Sequence, residues 1–230
     1  MKSSKSSLAL RGYYQLTGAE EGRKGDIDAL LGSREASDRT LGALLAGCDD
    51  DPARAPALLA LLANETALYT RIEICKTLAR FPSALSHVLD RLGTIGVNHM
   101  RELPTKVFGK ESYPLPRDLC ARTLIRMDGR AVLDACVRRL ATASAETKSE
   151  LLDVIGHVSF FGKGEHAYGE IRRCVWGEIE NHILRYKFAI MLRALASPVA
   201  QSDNESLQWT ETKEIILAEL RRSLEISRNR

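Results

Sequence analysis

Five basic side chains recur at matching positions along the chain and are its first candidates for chemistry. Lys76 and Arg80 lie four residues apart in one segment of apolar periodicity, Arg122 and Arg126 hold the corresponding places in another, and His157 follows in a third. We call these residues the basic column. Positive charge clustered on one face can bind phosphates or an acidic protein. The same column is also typical of an ordinary solvated face, so both interpretations stay open.

A second candidate is the stretch from residue 93 to residue 116, the longest interruption of the helical pattern. Loops longer than about 12–15 residues without secondary structure tend to be functional or disordered. Aromatic side chains beside cations can stack on nucleotides or anchor a protein partner. Equally, such aromatics can pin the loop onto the helices. The candidate binding residues of this loop are Arg101, Lys106, Phe108, Lys110 and Tyr113.

The motifs of common enzyme and metal sites are missing from the sequence. It has no GxxxxGK[ST], GxSxG, HExxH or GxGxxG, so we predict no catalytic residue and no cofactor. His166 and Glu170 have an i, i+4 spacing that can hold a metal on a helix. A metal site needs further ligands at defined spacing, and none is recognised. The five cysteines are odd in number and contain no CxxC pair, which argues against a disulfide framework and a zinc site.

Four segments of the chain follow one design. They begin with a base and carry apolar residues three, four, seven and ten positions later, offsets that trace one stripe on an α-helix. The repeated base is predicted either to line a ligand site or to bond a carboxylate or carbonyl between repeats. The segments are RIEICKTLARF from Arg71, RDLCARTLIRM from Arg117, KSELLDVIGHV from Lys148 and RYKFAIMLRAL from Arg185.

A second apolar helix follows two of these segments after a tight turn. The turns are marked by Pro82 and by Asp128-Gly129. One helical pair cannot bury its apolar stripe alone, so neighbouring pairs must stack on it. No alternating, β-rich stretch of useful length is visible. The sequence therefore predicts an all-α solenoid.

These helical pairs resemble HEAT repeats, in which helix B opens with a basic residue after an acidic residue in the preceding turn. Glu65 lies six residues before Arg71, and Glu111 lies six before Arg117, whereas the two later segments depart from this spacing. The resemblance covers residues 50–228 and implies a right-handed solenoid whose B helices line the concave side. It would place the basic column in a cleft. HEAT-related DNA glycosylases exist, but their aromatic and acidic catalytic cluster has no clear counterpart here.

Length and composition fit one domain. The chain has 230 residues, of which 44% are hydrophobic and 27% charged, with a net charge of +3 concentrated at its two ends. We expect degenerate capping helices in residues 1–50, about four repeats in 51–228 and an insertion at 93–116. No apolar run approaches the roughly 20 residues that span a bilayer, and Arg11 interrupts the N-terminal apolar stretch. These features predict a cytoplasmic protein without membrane contact.

The function predicted from these features is that of a non-enzymatic HEAT-like adaptor. It would bind a protein partner through its concave face and the 93–116 loop. The alternative is a nucleic-acid-binding protein, related to DNA repair, that uses the basic column. Steep salt dependence of binding would distinguish the second from the first. A metal-dependent enzyme at His166 and Glu170 is a third hypothesis, and it requires a stoichiometric metal.

Overall fold

The regular secondary structure of the protein is helical. The computed structural model describes residues 4–18, 20–95, 99–162 and 164–230, and within these ranges it contains α-helices and short 3-10 turns but no strand. This confirms the all-α prediction. Within the same ranges, no helix combines the length and the apolar character that crossing a bilayer requires.

Backbone contacts divide the chain into two compact units, Met1–Arg91 and Leu92–Arg230. In the first unit, α3 packs against α2 and α5, and α5 also contacts α4. Its helices are α1 (Lys5–Leu10), α2 (Ile27–Leu31), α3 (Ala36–Asp49), α4 (Ala55–Asn64), α5 (Leu68–Leu78) and α6 (Leu85–Asp90).

The second unit is built from helices that contact one another in succession. Helix α9 packs against α7, α8 and α11, while α11 also packs against α12 and α13, and α8 contacts α10. The elements are α7 (Leu119–Leu124), α8 (Gly129–Leu140), α9 (Ala145–Phe161), α10 (Tyr168–Val175), α11 (His182–Leu192), α12 (Pro198–Thr210) and α13 (Glu214–Arg228).

Side-chain caps fix where the main helices of the second unit begin. The Ser144 hydroxyl accepts the N–H of Thr147 at the start of α9, and the Asn181 side chain accepts two N–H groups at the start of α11. Asp118 caps α7 in the same way. These bonds satisfy amides that have no partner within the helix. Because the cap of α7 is at residue 118, the helix predicted from Arg117 begins at Leu119.

The predicted apolar stripes lie in the core. In α5, Ile74, Cys75 and Leu78 are buried, and the corresponding positions of α7, α9 and α11 are buried as well. These are Cys120, Ala121 and Leu124, then Leu151, Leu152 and Ile155, then Phe188, Ala189 and Leu192. Burying a leucine or isoleucine side chain stabilises a protein by roughly 1.5–3 kcal/mol, so the stripes supply much of the driving force for folding.

Most of the repeated bases bond to the backbone. Nε of Arg185 donates to the carbonyl of Ile179, six residues earlier, at 2.7 Å. Arg71 donates to the Glu65 carbonyl at the same offset. Arg117 is exposed, and Arg122 makes the equivalent bond instead, to the Pro116 carbonyl at 2.8 Å. A guanidinium that is committed to a backbone carbonyl fixes the turn before its helix.

One arginine–glutamate contact occurs in both units at the same sequence separation. Arg39 donates through Nε and Nη2 to the Glu65 carboxylate, and Arg185 donates through Nη1 to Glu211. The separation is 26 residues in both cases. Each glutamate also accepts the N–H groups of the two residues that follow it. We call this contact the Arg–Glu clamp.

The clamp keeps its carboxylate ionised. Burial by itself would raise the pKa of Glu65, but the hydrogen bonds from Arg39 and from the following amides outweigh burial, so the pKa is lowered. The pKa of Glu211 is lowered for the same reasons, with Arg185 as the donor. Four donors on the Glu65 carboxylate and three on that of Glu211 make each clamp a strongly directional joint between helices.

We expect Glu65→Ala to destabilise the protein by about 3–5 kcal/mol, because it leaves the Arg39 guanidinium and two amides without their acceptor. The matched control is Glu73→Ala, which removes a partner of the exposed Lys76 and should cost less than about 1 kcal/mol. Urea unfolding of both variants measures the difference. Equal losses would show that the clamp contributes no more than a surface pair.

Candidate partner-binding surface

A row of six buried charged side chains crosses the second unit from the N-cap of α7 through α9 and α11 to α13. Lys148 on α9 is also buried, but it pairs outside this row, with Glu178. Charged residues are rarely buried unless they are paired, so such a row needs an explanation. We call it the charge row. Its members are Asp118, Glu150, Asp153, Lys187, Arg193 and Glu219.

Two ion pairs account for four of these charges. Lys187 on α11 donates to Asp153 on α9, and Arg193, the C-cap residue of α11, faces Glu219 on α13, with both members of the second pair completely buried. Buried pairs add little net stability because desolvation offsets their attraction, although breaking one costs about 3–5 kcal/mol. The pairs therefore determine which helices meet.

Glu150 differs from the paired carboxylates. Its Oε2 is buried without a hydrogen-bond partner among the described residues, and its Oε1 lies 3.9 Å from Nδ1 of His99. Burial raises the pKa of Glu150 to about 7 from 4.5, the neighbouring Asp153 and Asp118 raise it further, and Lys187 opposes them. The Glu150 carboxyl therefore changes its ionisation near neutral pH.

Glu150→Gln should stabilise the protein in a pH-dependent way. Because the folded pKa of about 7 exceeds the unfolded value of 4.5, the stability that the protonated carboxyl provides is complete below the unfolded pKa. It is lost as the pH rises through the folded pKa. In urea unfolding at about pH 8.5 the variant should gain on the order of 3 kcal/mol over the wild type, and much less at about pH 5. A gain that does not change with pH would contradict this account.

Residues 99–116, which we call the cover segment, are non-helical and lie against the charge row. The Phe108 N–H donates to Oε2 of Glu219 at 3.2 Å, and the Phe108 ring centroid is 5.5 Å from the Arg193 guanidinium. Arg222 donates to the Gly109 carbonyl at 2.9 Å. The segment is thus attached to α13 and α11 through both its main chain and an aromatic ring.

Tyr113 is the second attachment point of the cover segment. Its side chain is buried against α9, where the hydroxyl points at the Leu152 carbonyl, 3.5 Å away. Gly156 makes room for it, because a Cβ at position 156 would overlap the hydroxyl and the ring of Tyr113. Glycine inside a helix costs roughly 0.5–1 kcal/mol relative to alanine. Here that cost creates a slot for an aromatic side chain.

Gly156→Ala should release the cover segment. The added methyl group overlaps the Tyr113 ring, and overpacking of this kind costs about 1–3 kcal/mol. We expect trypsin to cleave after the exposed Lys106 and Lys110 at least about tenfold faster than in the wild type, because local opening governs such cleavage. The matched control is Gly169→Ala on α10, where nothing would contact a Cβ. Identical cleavage rates in the two variants would mean that Tyr113 does not hold the segment.

An open groove with a volume of about 850 Å³ lies beside the C-terminal half of α9. Its apolar lining includes Phe161, whose side chain is 67% exposed. Among the described residues, three ionisable side chains line the groove, namely Arg130, His157 and His166. The other lining residues are Ile125, Gly129, Leu133, Val158 and Gly162. An exposed aromatic ring in an apolar depression is typical of a binding site.

His157 connects the groove to the cover segment. Its ring packs against Phe161, with centroids 4.8 Å apart, and edge-on against Tyr113 at 6.0 Å. Burial lowers the pKa of His157 from its usual value. The imidazole is therefore mainly neutral at pH 7 and acts as an aromatic wall of the groove rather than as a cation.

The basic column is divided between the two units. Lys76 and Arg80 are exposed in the first unit, where Lys76 pairs with Glu73, 3.1 Å away. In the second unit Arg126 is exposed, whereas Arg122 is half-buried and bonded to a backbone carbonyl. The sequence placed Arg122 on a solvated or ligand-binding face, whereas the structure half-buries it, with its Nε bonded to the Pro116 carbonyl six residues earlier.

Among the predicted loop residues, the cations and the aromatics separate. Arg101, Lys106 and Lys110 are exposed, while Phe108 is half-buried and Tyr113 buried. The sequence left two roles open for the aromatic residues, binding a partner or holding the loop on the helices. Both rings contact the helices, as the second role requires. The three cations remain available to solvent.

The charge row and the groove were not predicted. Glu150 and Asp153 flank the buried Leu151 and Leu152, and Lys187 precedes the buried Phe188. The sequence did contain a signal for the charge row, since these charged residues stand directly beside positions of the apolar stripe. A helical residue next to the stripe is buried once other helices pack on both sides of its helix. For the groove, the signal was the Phe160-Phe161 pair just beyond the stripe of α9.

His166 and Glu170 belong to different elements. His166 lies in the 3-10 turn Glu165–Ala167, and Glu170 lies in the first turn of α10. No group of three or more His, Cys, Asp or Glu side chains in the described ranges could hold a metal ion.

No family model, curated protein or solved structure matches the chain. A function for it has to be argued from the residues of the site, since the fold alone does not determine one.

Proposed function

We propose that the chain is a non-enzymatic adaptor that binds a segment of a protein partner in the groove of its second unit. We also propose that its helical pairs stack as a right-handed, HEAT-like solenoid. The succession of contacts from α7 through α9 and α11 to α13 supports the stacking, as do the arginines that bond to a carbonyl six residues earlier.

The observation that carries the functional proposal is the exposed Phe161 ring in an apolar groove with a basic edge. Apolar surface gains roughly 25 cal/mol per Å² when it leaves water, and aromatic residues are common anchors of protein interfaces. Arg130 at the edge would attract a carboxylate and set the direction of the bound segment. The partner segment should therefore combine apolar side chains with at least one acidic residue.

Nucleic-acid binding is the alternative, and the groove favours it less. Phosphate backbones are bound by several cations at once, because affinity comes from the counterions they release. Arg130 is the one arginine or lysine among the described lining residues, and burial lowers the pKa of His157. Much of the remaining lining is aliphatic, which suits amino-acid side chains better than phosphates.

We place the adaptor in the cytoplasm. All five cysteines lie within the described ranges, and Cys48, Cys136 and Cys174 are free thiols. Three of the five are buried, where cysteine behaves as a small apolar residue. This usage is common in proteins of reducing compartments.

The test is a pull-down of the tagged full chain from lysate of its own cells, with and without nuclease. The groove variant combines Phe161→Asp with Arg130→Glu, and the control variant combines Trp209→Asp with Arg138→Glu, two exposed residues outside the groove lining. We expect one protein that resists nuclease, is recovered equally with wild type and control, and falls at least about tenfold with the groove variant.

Two outcomes would contradict the proposal. Equal recovery of the partner by groove and control variants would exclude the groove as its site. Loss of all bound material after nuclease treatment would favour nucleic-acid binding. Circular dichroism and thermal melting of each variant establish that the chain is folded before either outcome is interpreted.

A further inference from the structure

The cover segment is held by contacts that a foreign peptide could also make. Glu219 accepts the N–H of Phe108, and Arg222, three residues further along α13, donates to the carbonyl of Gly109. These are main-chain groups of consecutive residues, and both are bound by charged side chains. Recognition of this kind depends on an extended backbone and only weakly on the peptide's own side chains.

Two aromatic positions add side-chain selectivity. The Phe108 ring lies over the Arg193 guanidinium, a cation–π contact that strengthens when both groups are shielded from water. Tyr113, five residues later, fills the slot left by the missing side chain of Gly156. The surface thus selects for two aromatic residues five positions apart.

The attachment of the cover segment is weak compared with that of the helices. Among the described residues, three main-chain hydrogen bonds, at Phe108, Gly109 and Pro116, and two aromatic rings hold a stretch that has no regular secondary structure. Most of its polar side chains are exposed. Such stretches open at a small fraction of the free energy of global unfolding.

The buried charges beneath the cover segment are consistent with a surface from which the segment detaches at times. Ion pairs that are permanently buried are often no better than apolar residues of the same size. On a surface that alternates between covered and open, the same charges keep the open state hydrated and provide partners for a peptide backbone. Glu219 serves in both ways, because it pairs with Arg193 and also accepts the Phe108 N–H.

We infer that the surface formed by α9, α11 and α13 is a second binding site, for an extended peptide of a partner protein, and that the cover segment occupies it as a built-in competitor. The partner peptide carries two aromatic residues five positions apart and displaces residues 104–116. This site is separate from the groove around Phe161, so it stands or falls independently of the function proposed above.

The probe is a fluorescein-labelled peptide with the sequence of residues 104–116, PTKVFGKESYPLP, added to the full chain. In the variant Phe108→Ala/Tyr113→Ala the built-in segment loses both rings, and the site becomes free. Fluorescence anisotropy should show at least about tenfold tighter binding to this variant than to the wild type, because apparent affinity scales with the fraction of open sites.

Two controls separate the site from non-specific association. A peptide with alanine in place of both aromatics should not bind the variant. Adding Gly156→Ala to the double variant fills the slot and should abolish binding of the original peptide. Equal, weak anisotropy changes for all proteins and peptides would overturn the inference.

Folding of the double variant is checked by circular dichroism and thermal melting. The milder variant Tyr113→Ala, which empties only the slot on α9, provides a second measurement with the same peptide and the same expectation. If neither variant folds, residues 104–116 are an integral part of the core and the segment is not displaceable, which also overturns the inference.

Discussion

The Arg193–Glu219 ion pair is the contact on which the arrangement of the second unit depends most. It joins α11 to α13 in the interior, and its carboxylate also accepts the main-chain N–H that attaches the cover segment. An unpaired charge at either position would cost several kcal/mol, so the two helices are restricted to one relative placement. The apolar stripes drive folding, while this pair determines how the stripes are aligned.

Both proposed binding sites use α9, and each depends on a different property of that helix. The slot for Tyr113 exists because Gly156 has no side chain, and the groove is lined by Val158 and Phe161 one turn further on. His157, between these positions, contacts the rings of Tyr113 and Phe161. Displacement of Tyr113 would remove one of the two aromatic contacts of His157, so occupation of one site can influence the other through this imidazole.

The sequence was sufficient for the elements but not for the surface that they form. The offsets of three, four, seven and ten predicted α5, α9 and α11, because an apolar stripe with helical period has one stable solution. The path of the cover segment could not be predicted in this way. Phe108 meets Glu219 across 111 residues of sequence, and Arg222 meets Gly109 across 113. Nothing local to residues 93–116 identifies those partners, and charged residues on a helix are expected to face solvent until their neighbours are known.

The Arg–Glu clamp also restricts the number of residues between its two members. It joins residues 26 positions apart in each unit, so any change in the number of residues between 39 and 65, or between 185 and 211, would have to loop out or break a buried joint. The stretch 93–116 lies outside both intervals. The number of residues is therefore fixed within the two intervals that the clamps close. Residues inserted into the stretch 93–116 would leave both clamps, and the helices that they join, unchanged.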